Sequence, residues 1–441
     1  MSAVRDESAA RRATALCALP DGRSTGGNVR CASRFLQSLI GSETTVADHR
    51  HHAALSPAPA LSVYFVYALS TVNNIAVNAA QVLLSLYALH LGATPLEVGA
   101  LAGTFALFPM ALAVTAGRLL DRYGGRWPMT FGILSSAIGM LVPYFFSNLW
   151  ALYVAGALTG ITTTFYNLAT QNLVGQLSTA ETRPRNFSNY TLTNAAANLV
   201  APLLAGFSID HASYASSSLY ISLLTLIPLC MLIVRGSALP AGTGRVTKAP
   251  GGILALLADP VVRRTLITGS LVNTGLNLYQ WYMPVYAHSI GISASATGII
   301  LSMNSAASFA VRFLLTRLLI RLGDARLLAY AFFLGATSLF LIPLFHSPWI
   351  LCGISFMFGF GMGVGQPIVT MQMYTNSQDG RSGESLGLKV MTNQLTKLVA
   401  PMLFGGLATG LGLLPMFWLN AVMLGSGGVL SRSQHASSAP D

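Results

Sequence analysis

Between Leu61 and about residue 430 the chain runs through about twelve apolar stretches: roughly 62–90, 96–118, 127–146, 149–174, 186–208, 214–234, 264–288, 295–317, 327–345, 349–374, 385–408 and 413–430. Stretches of about 20 residues, rising ~1.5 Å each, match the ~30 Å hydrocarbon core of a bilayer. Lipid offers backbone amides no hydrogen-bond partner, so a spanning segment is either a helix or a strand of a closed barrel. Barrel strands alternate in polarity with period two, whereas these stretches are continuously apolar. Only 9% of the residues are Asp, Glu, Lys or Arg, where a water-exposed surface calls for ~25–35%. The expected fold is an all-α membrane protein with twelve transmembrane helices, and its first partner is the lipid bilayer.

The first 60 residues hold 12 of the 39 charged side chains and have no apolar run long enough for a signal peptide. They are expected to be a disordered cytoplasmic tail; their DHRHH cluster (48–52) suits a solvated tail better than a metal site. The net charge of +11 is dispersed over tail and loops, which argues against a nucleic-acid partner. Cys17, Cys31, Cys230 and Cys352 show no CxxC spacing and suggest neither disulfides nor zinc.

The loops after the second, fourth, sixth, eighth and tenth stretches are basic. They carry Arg122 and Arg126; Arg183 and Arg185; Arg235, Arg245, Lys248 and Arg263; Arg321 and Arg326; and Arg381. The six loops on the other side carry no Lys or Arg. The positive-inside rule puts the basic end, and both termini, in the cytoplasm.

The two halves of the chain match at a constant spacing of 199 residues. Asn74, Asn78, Gln81 and Tyr87 recur as Asn273, Asn277, Gln280 and Tyr286. Gly92, Arg122, Gly124 and Trp150 recur as Gly291, Arg321, Gly323 and Trp349, and TNAAANLVAPLLAG (193–206) recurs as TNQLTKLVAPMLFG (392–405). Six spans separate the copies, so they are parallel repeats related by an axis along the membrane normal, with a substrate site expected near the midplane where they meet. The expected domains are a six-helix bundle at 61–235, a cytoplasmic linker at 236–262, a second pseudo-symmetric six-helix bundle at 263–431 and a cytoplasmic tail at 432–441.

Asn74, Asn78 and Gln81 share one face of the first helix, at i, i+4 and i+7, and Asn273, Asn277 and Gln280 repeat that face on the seventh. Asn78 lies about 12 residues from the helix end, ~18 Å deep. Amides at that depth face a polar cavity or another helix. The eleventh helix adds Asn393, Gln394 and Lys397, whose counterparts on the fifth include Asn194 and Asn198. Lys397 is too deep to reach headgroups, whereas Lys389 and Arg312 are near enough to snorkel. Tyr166, Asn167 and Gln171 on the fourth helix, Asn304 on the eighth and Gln366 on the tenth, the counterpart of Asn167, complete the candidate substrate-binding set. Glu97, Asp210, Asp324 and Glu384 sit at span ends or in loops, and no Asp or Glu lies deeper inside a span, so the cavity favours an anionic or neutral substrate. On the seventh helix, Trp281 and Tyr286 fit an outer-interface aromatic belt, stacking on a substrate ring being the other reading.

Residues 117–126, GRLLDRYGGR, resemble the signature loop of the major facilitator superfamily, with Gly117, Asp121, Arg122, Gly124 and Arg126 in the expected places. The resemblance extends over all twelve helices. It implies a cytoplasmic latch in which Asp121 faces the start of the eleventh helix; at its own helix's C-terminal end the macrodipole disfavours a carboxylate. The second copy has Ile320 in place of that Asp, making any latch asymmetric. APLLAG (201–206) is similar to a motif of the family's drug antiporters and implies export. Gly156 and Thr159 stand where the family's proton antiporters have Arg and Gln, which puts proton-coupled drug efflux in doubt.

The resulting expectation is a secondary transporter without enzyme activity. It would move a small-molecule substrate by rocking two bundles, with a lean to efflux, as a monomer without cofactor or metal, in the cell membrane, the bacterial inner membrane if the resemblance holds. Coupling to protons or to substrate exchange stays open. The other readings are an uptake carrier for a small organic anion and a permease subunit driven by a separate ATPase. The chain itself has no phosphate loop, since no Lys follows a Gly.

Overall fold

The computed structural model describes residues 59–179, 181–236, 260–375 and 382–436. They form α1 (Pro59–His90), α2 (Pro95–Tyr123), α3 (Arg126–Phe145), α4 (Leu149–Gln176), α5 (Arg183–His211), α6 (Tyr214–Arg235), α7 (Pro260–Ser289), α8 (Ala294–Leu322), α9 (Asp324–Leu341), α10 (Pro348–Thr375), α11 (Ser382–Leu411) and α12 (Leu413–Ala436). Among the described residues there is no strand, and nine of the helices are long and apolar enough to cross a membrane. The other three, α4, α7 and α11, are diluted by Thr, Asn, Gln and Gly. The expected tail (1–60) and linker (236–262) lie almost wholly outside the described residues, and α12 continues to Ala436, past the expected limit of 431.

Local chemistry repeats with the sequence. Thr94 caps the N-terminus of α2 and Ser293, its counterpart, caps α8, each side chain accepting a backbone N–H of the first turn. Gly92 and Gly291 have φ of 82° and 76°, and Gly124 and Gly323 have 75° and 73°. Left-handed backbone of this kind excludes most side chains, which is why these glycines survive in both copies.

Packing repeats too. In the first half α1 packs on α5, α2 on α4, and α3 on α4 and α6; in the second, α7 packs on α11, α8 on α10, and α9 on α10 and α12. The halves meet through α2 against α11 and α5 against α8, with α1 touching α7 between them. The molecule is thus two pseudo-symmetric six-helix bundles.

Among the described residues the apolar core joins the two bundles at one end. One large cluster spans both bundles and includes Leu86, Val98 and Leu101 together with Tyr282, Val285 and Ile300, residues near the loops without Lys or Arg. We call that end the neutral end. Near the basic end, a cluster of Val63, Leu69, Leu120, Met129 and Leu173 belongs to the first bundle alone. A smaller one of Val262, Leu266, Met373 and Leu388 belongs to the second.

Candidate functional site

The amide stripes of α1 and α7 turn inward. Asn74 donates from Nδ2 to Asn194 Oδ1 on α5 at 2.8 Å, and Ser70 donates to the same oxygen at 3.1 Å. One turn on, Asn78 donates to Asn198 Oδ1 at 2.9 Å. In the second bundle Asn273 donates to the backbone oxygen of Asn393 on α11 at 3.0 Å. The repeat breaks at the next step. The counterpart of Asn198 is Lys397, which offers no acceptor, and Asn277 bonds back to Asn273 O at 3.0 Å. Among the described residues Lys397 makes no hydrogen bond and no ion pair. It is exposed, and the space it faces is the hollow between the bundles.

That hollow comprises three adjoining recesses of about 340, 410 and 200 Å³, the scale of a small-molecule site. The first is lined by Asn74, Asn78, Gln81, Asn167, Asn277 and Lys397 among others. The second adds Asn273, Gln280, Gln366 and Asn393, and the third adds Asn198 and Asn304. Fourteen of the sixteen candidate residues therefore share one cavity; Tyr166 does not, and Asn194 does not line it but anchors Asn74 and Ser70.

The cavity is closed toward the neutral end by contacts that repeat between the halves. A methyl group on Gly99 (α2) would overlap the carbonyl oxygen of Pro401 (α11), and one on its counterpart Gly298 (α8) would overlap that of Pro202 (α5). Backbone atoms this close need glycine. Asp210 at the end of α5 accepts from the N–H groups of Ala294 and Ser295 at the start of α8, at 3.2 and 2.8 Å. Its counterpart Thr409 accepts from Leu96 N at the start of α2, at 3.0 Å. Below this layer Trp281 packs edge-on against Phe105. Trp281 is 3% exposed, whereas Val390, a lining residue toward the basic end, is 57% exposed. Among the described residues the one hydrogen bond across the halves near the basic end runs from Arg312 Nη1 to Thr191 O.

Several expectations change. Trp281 and Tyr286 do not form an interface belt: both are buried, Trp281 in the seal and Tyr286 donating to Phe345 O. Their indole and phenol polar groups find backbone or cavity surroundings inside the protein, so they need no headgroup layer. Trp150 and Trp349, both exposed at the neutral end, have the exposure a belt requires. Tyr166 is fully buried in the first bundle's core and misses the cavity. Lys389 and Arg312 do not snorkel: Lys389 is buried and donates to Thr370 Oγ1, and Arg312 lines the smallest recess. Both lie on helix faces turned to protein, where inward acceptors are nearer than headgroups.

A side chain at Gly156 would meet Thr104 and Phe105. α2 and α4 thus pack where the family's proton antiporters place an arginine. Pro202 and Pro401 lack the N–H that would close a helical bond to the carbonyls of Asn198 and Lys397, leaving a free backbone acceptor one turn before each proline. Of the latch residues, Gly117, Asp121 and Arg122 lie outside the residues whose side chains are described. Gly124 caps α2, and the Arg126 guanidinium lies against Gly236 at the C-terminal end of α6, where the helix dipole favours a cation.

The family model of the Major Facilitator Superfamily matches residues 63–395 and, again, 283–439. The staphylopine export protein of Staphylococcus aureus is 23% identical over 233 residues, 52% of this chain and 58% of that protein. The class G tetracycline resistance protein of Vibrio anguillarum is 24% identical over 327 residues, 70% of this chain and 80% of that one. Among solved structures, a POT family transporter in complex with 5-aminolevulinic acid superposes with a TM-score of 0.74 at 12% identity, over 86% of this chain and 96% of the other.

Proposed function

Since the chain belongs to the major facilitator superfamily, a family of transporters and not of enzymes, we propose that it exports a small organic molecule across the cell membrane by alternating access. The observation that carries this reading is the asymmetry of the hollow: one end is sealed by duplicated helix contacts, and among the described residues the basic end is bridged by one hydrogen bond, from Arg312 to Thr191. Two bundles that meet through four helices can exchange one seal for another by rocking about the amide cavity. With the basic loops cytoplasmic, the cavity faces the cytoplasm, the side from which an exporter loads. Relatives that include an export protein and a resistance protein support that direction. The cavity-lining residues chosen from the sequence, Asn74 and Lys397 foremost, are proposed to hold the cargo.

The test uses membrane vesicles of both orientations, loaded with labelled tetracycline or with labelled small organic acids, with and without a pH gradient. Accumulation in inside-out vesicles is expected; accumulation in neither orientation contradicts transport, and accumulation only in right-side-out vesicles favours import.

A further inference from the structure

Arg312 lies on α8, ten residues before the helix ends at Leu322, hence ~15 Å from the basic end. Its Nη1 donates to Thr191 O at 3.2 Å, while its Nε is buried with no hydrogen-bond partner. The recess it lines is walled by Asn78, Asn198, Gln280, Asn304, Ser308 and Gln366. Asn78, Gln280 and Gln366 also border the recess that holds Lys397, so both cations face one hollow. Lys397 is 15 residues inside α11, or ~22 Å from the same end. None of the residues lining the three recesses is Asp or Glu.

Among the described residues neither cation meets an acid, and intramembrane cations that face a cavity mark substrate or ion pathways. Lys389, on the same helix as Lys397, shows what a satisfied cation looks like here: buried and bonded to Thr370 Oγ1. Arg312 has the Thr191 carbonyl for one nitrogen and nothing for its Nε, and Lys397 has no hydrogen-bond partner among the described residues. A topological role does not explain them either, because positive-inside residues sit in loops and at helix ends. The guanidinium fork and the surrounding amide and hydroxyl donors suit a planar oxyanion, which the fork can bind bidentately.

We propose that the recess beside Arg312 is the subsite for an acidic group of the cargo and that Lys397 supplies a second positive contact, so that the cargo is a small organic acid. This deepens the transporter reading and rests on it. A carboxylate and a phosphate share the chemistry, and the probes separate them.

The test measures thermal stabilisation of the purified full-length chain in detergent by succinate, glutamate and inorganic phosphate, with succinamide as the uncharged control. At least one acid is expected to raise the melting temperature in a saturable manner while succinamide does not; stabilisation by phosphate alone assigns the subsite to a phosphate group. Arg312→Gln and Lys397→Gln are each expected to weaken the acid's apparent affinity tenfold or more. Arg312→Lys should lose less, and Arg235→Gln, at the exposed end of α6, should lose nothing. Equal stabilisation by succinamide, no response to any acid, or an unchanged affinity in a monodisperse Arg312→Gln protein overturns the proposal. Vesicle flux of tetracycline, measured in the same preparations, reports transport separately. Flux that persists while no acid binds sinks the acid subsite and leaves the carrier standing.

Discussion

Gly99 and Gly298 each hold a place where one methyl group decides whether two helices can touch. Their missing Cβ atoms let α2 and α8 close onto the carbonyls of Pro401 and Pro202, contacts that the proposed alternating access would need only while the neutral end is shut. Gly99→Ala combined with Gly298→Ala is therefore expected to favour the state open at that end. In a cysteine-free background carrying Ala102→Cys, on the cavity wall, labelling by an impermeant maleimide from the neutral side should accelerate at least tenfold. Asn78 and Asn194 are expected to separate by readout. Asn78→Ala should weaken cargo binding with a modest stability loss, since interhelical bonds of this kind are worth about 1 kcal/mol. Asn194→Ala, which removes the acceptor of both Asn74 and Ser70, should lower the melting temperature more than it changes affinity. The Asn stripes were legible in the sequence because they recur at one offset. Arg312 was not: its counterpart is the neutral Ala113, and chain position alone does not say whether a cation turns to headgroups or to a cavity. Trp281 was misjudged because aromatic residues near a helix end fit a belt and a seal equally well until the neighbouring helix is known.

At the scale of the helix, the clamps at the neutral end matter more than any single span. Asp210 meets the first N–H groups of α8, where the helix dipole favours an anion by about 0.3–1 kcal/mol and up to ~2 when partly buried. Thr409 makes the neutral equivalent on α2. Asp210→Asn should loosen the α5–α8 clamp and raise Ala102→Cys labelling several-fold, whereas Asp210→Thr, which copies its partner site, should raise it less. The two clamps sit on separate helix pairs, so Asp210→Ala and Thr409→Ala are expected to add in free energy; strong non-additivity would mean that the halves do not close independently at the two seams. Nine helices announce themselves by apolarity alone. The segments α4, α7 and α11 fall short of the other nine, because their inward faces spend residues on the cavity, yet each still reads as an apolar stretch in the sequence. Helix ends were less visible: α12 overruns its expected limit, since polar residues after a span can continue a helix into the headgroup layer.

For the whole molecule, the duplication is what turns twelve helices into a machine. Seals, clamps, caps and turns recur 199 residues apart, and the halves pack by the same pairs of helices. The symmetry is broken inside the hollow, by Lys397 opposite the position of Asn198 and by Arg312 without an equivalent, so its lining is chemically asymmetric although the frame is symmetric. The family and the all-helical membrane fold followed from sequence; which end of the hollow is sealed did not, because the sealing contacts depend on how the helices pack. The decisive measurement takes two double-cysteine variants in lipid, spin-labelled at Trp150 and Trp349 on the neutral end or at Trp127 and Arg326 on the basic end, all exposed positions, each with and without Gly99→Ala and Gly298→Ala. Rocking about a mid-membrane cavity requires the neutral-end distance to lengthen while the basic-end distance shortens. Two distances that stay fixed, or that change with the same sign, contradict it.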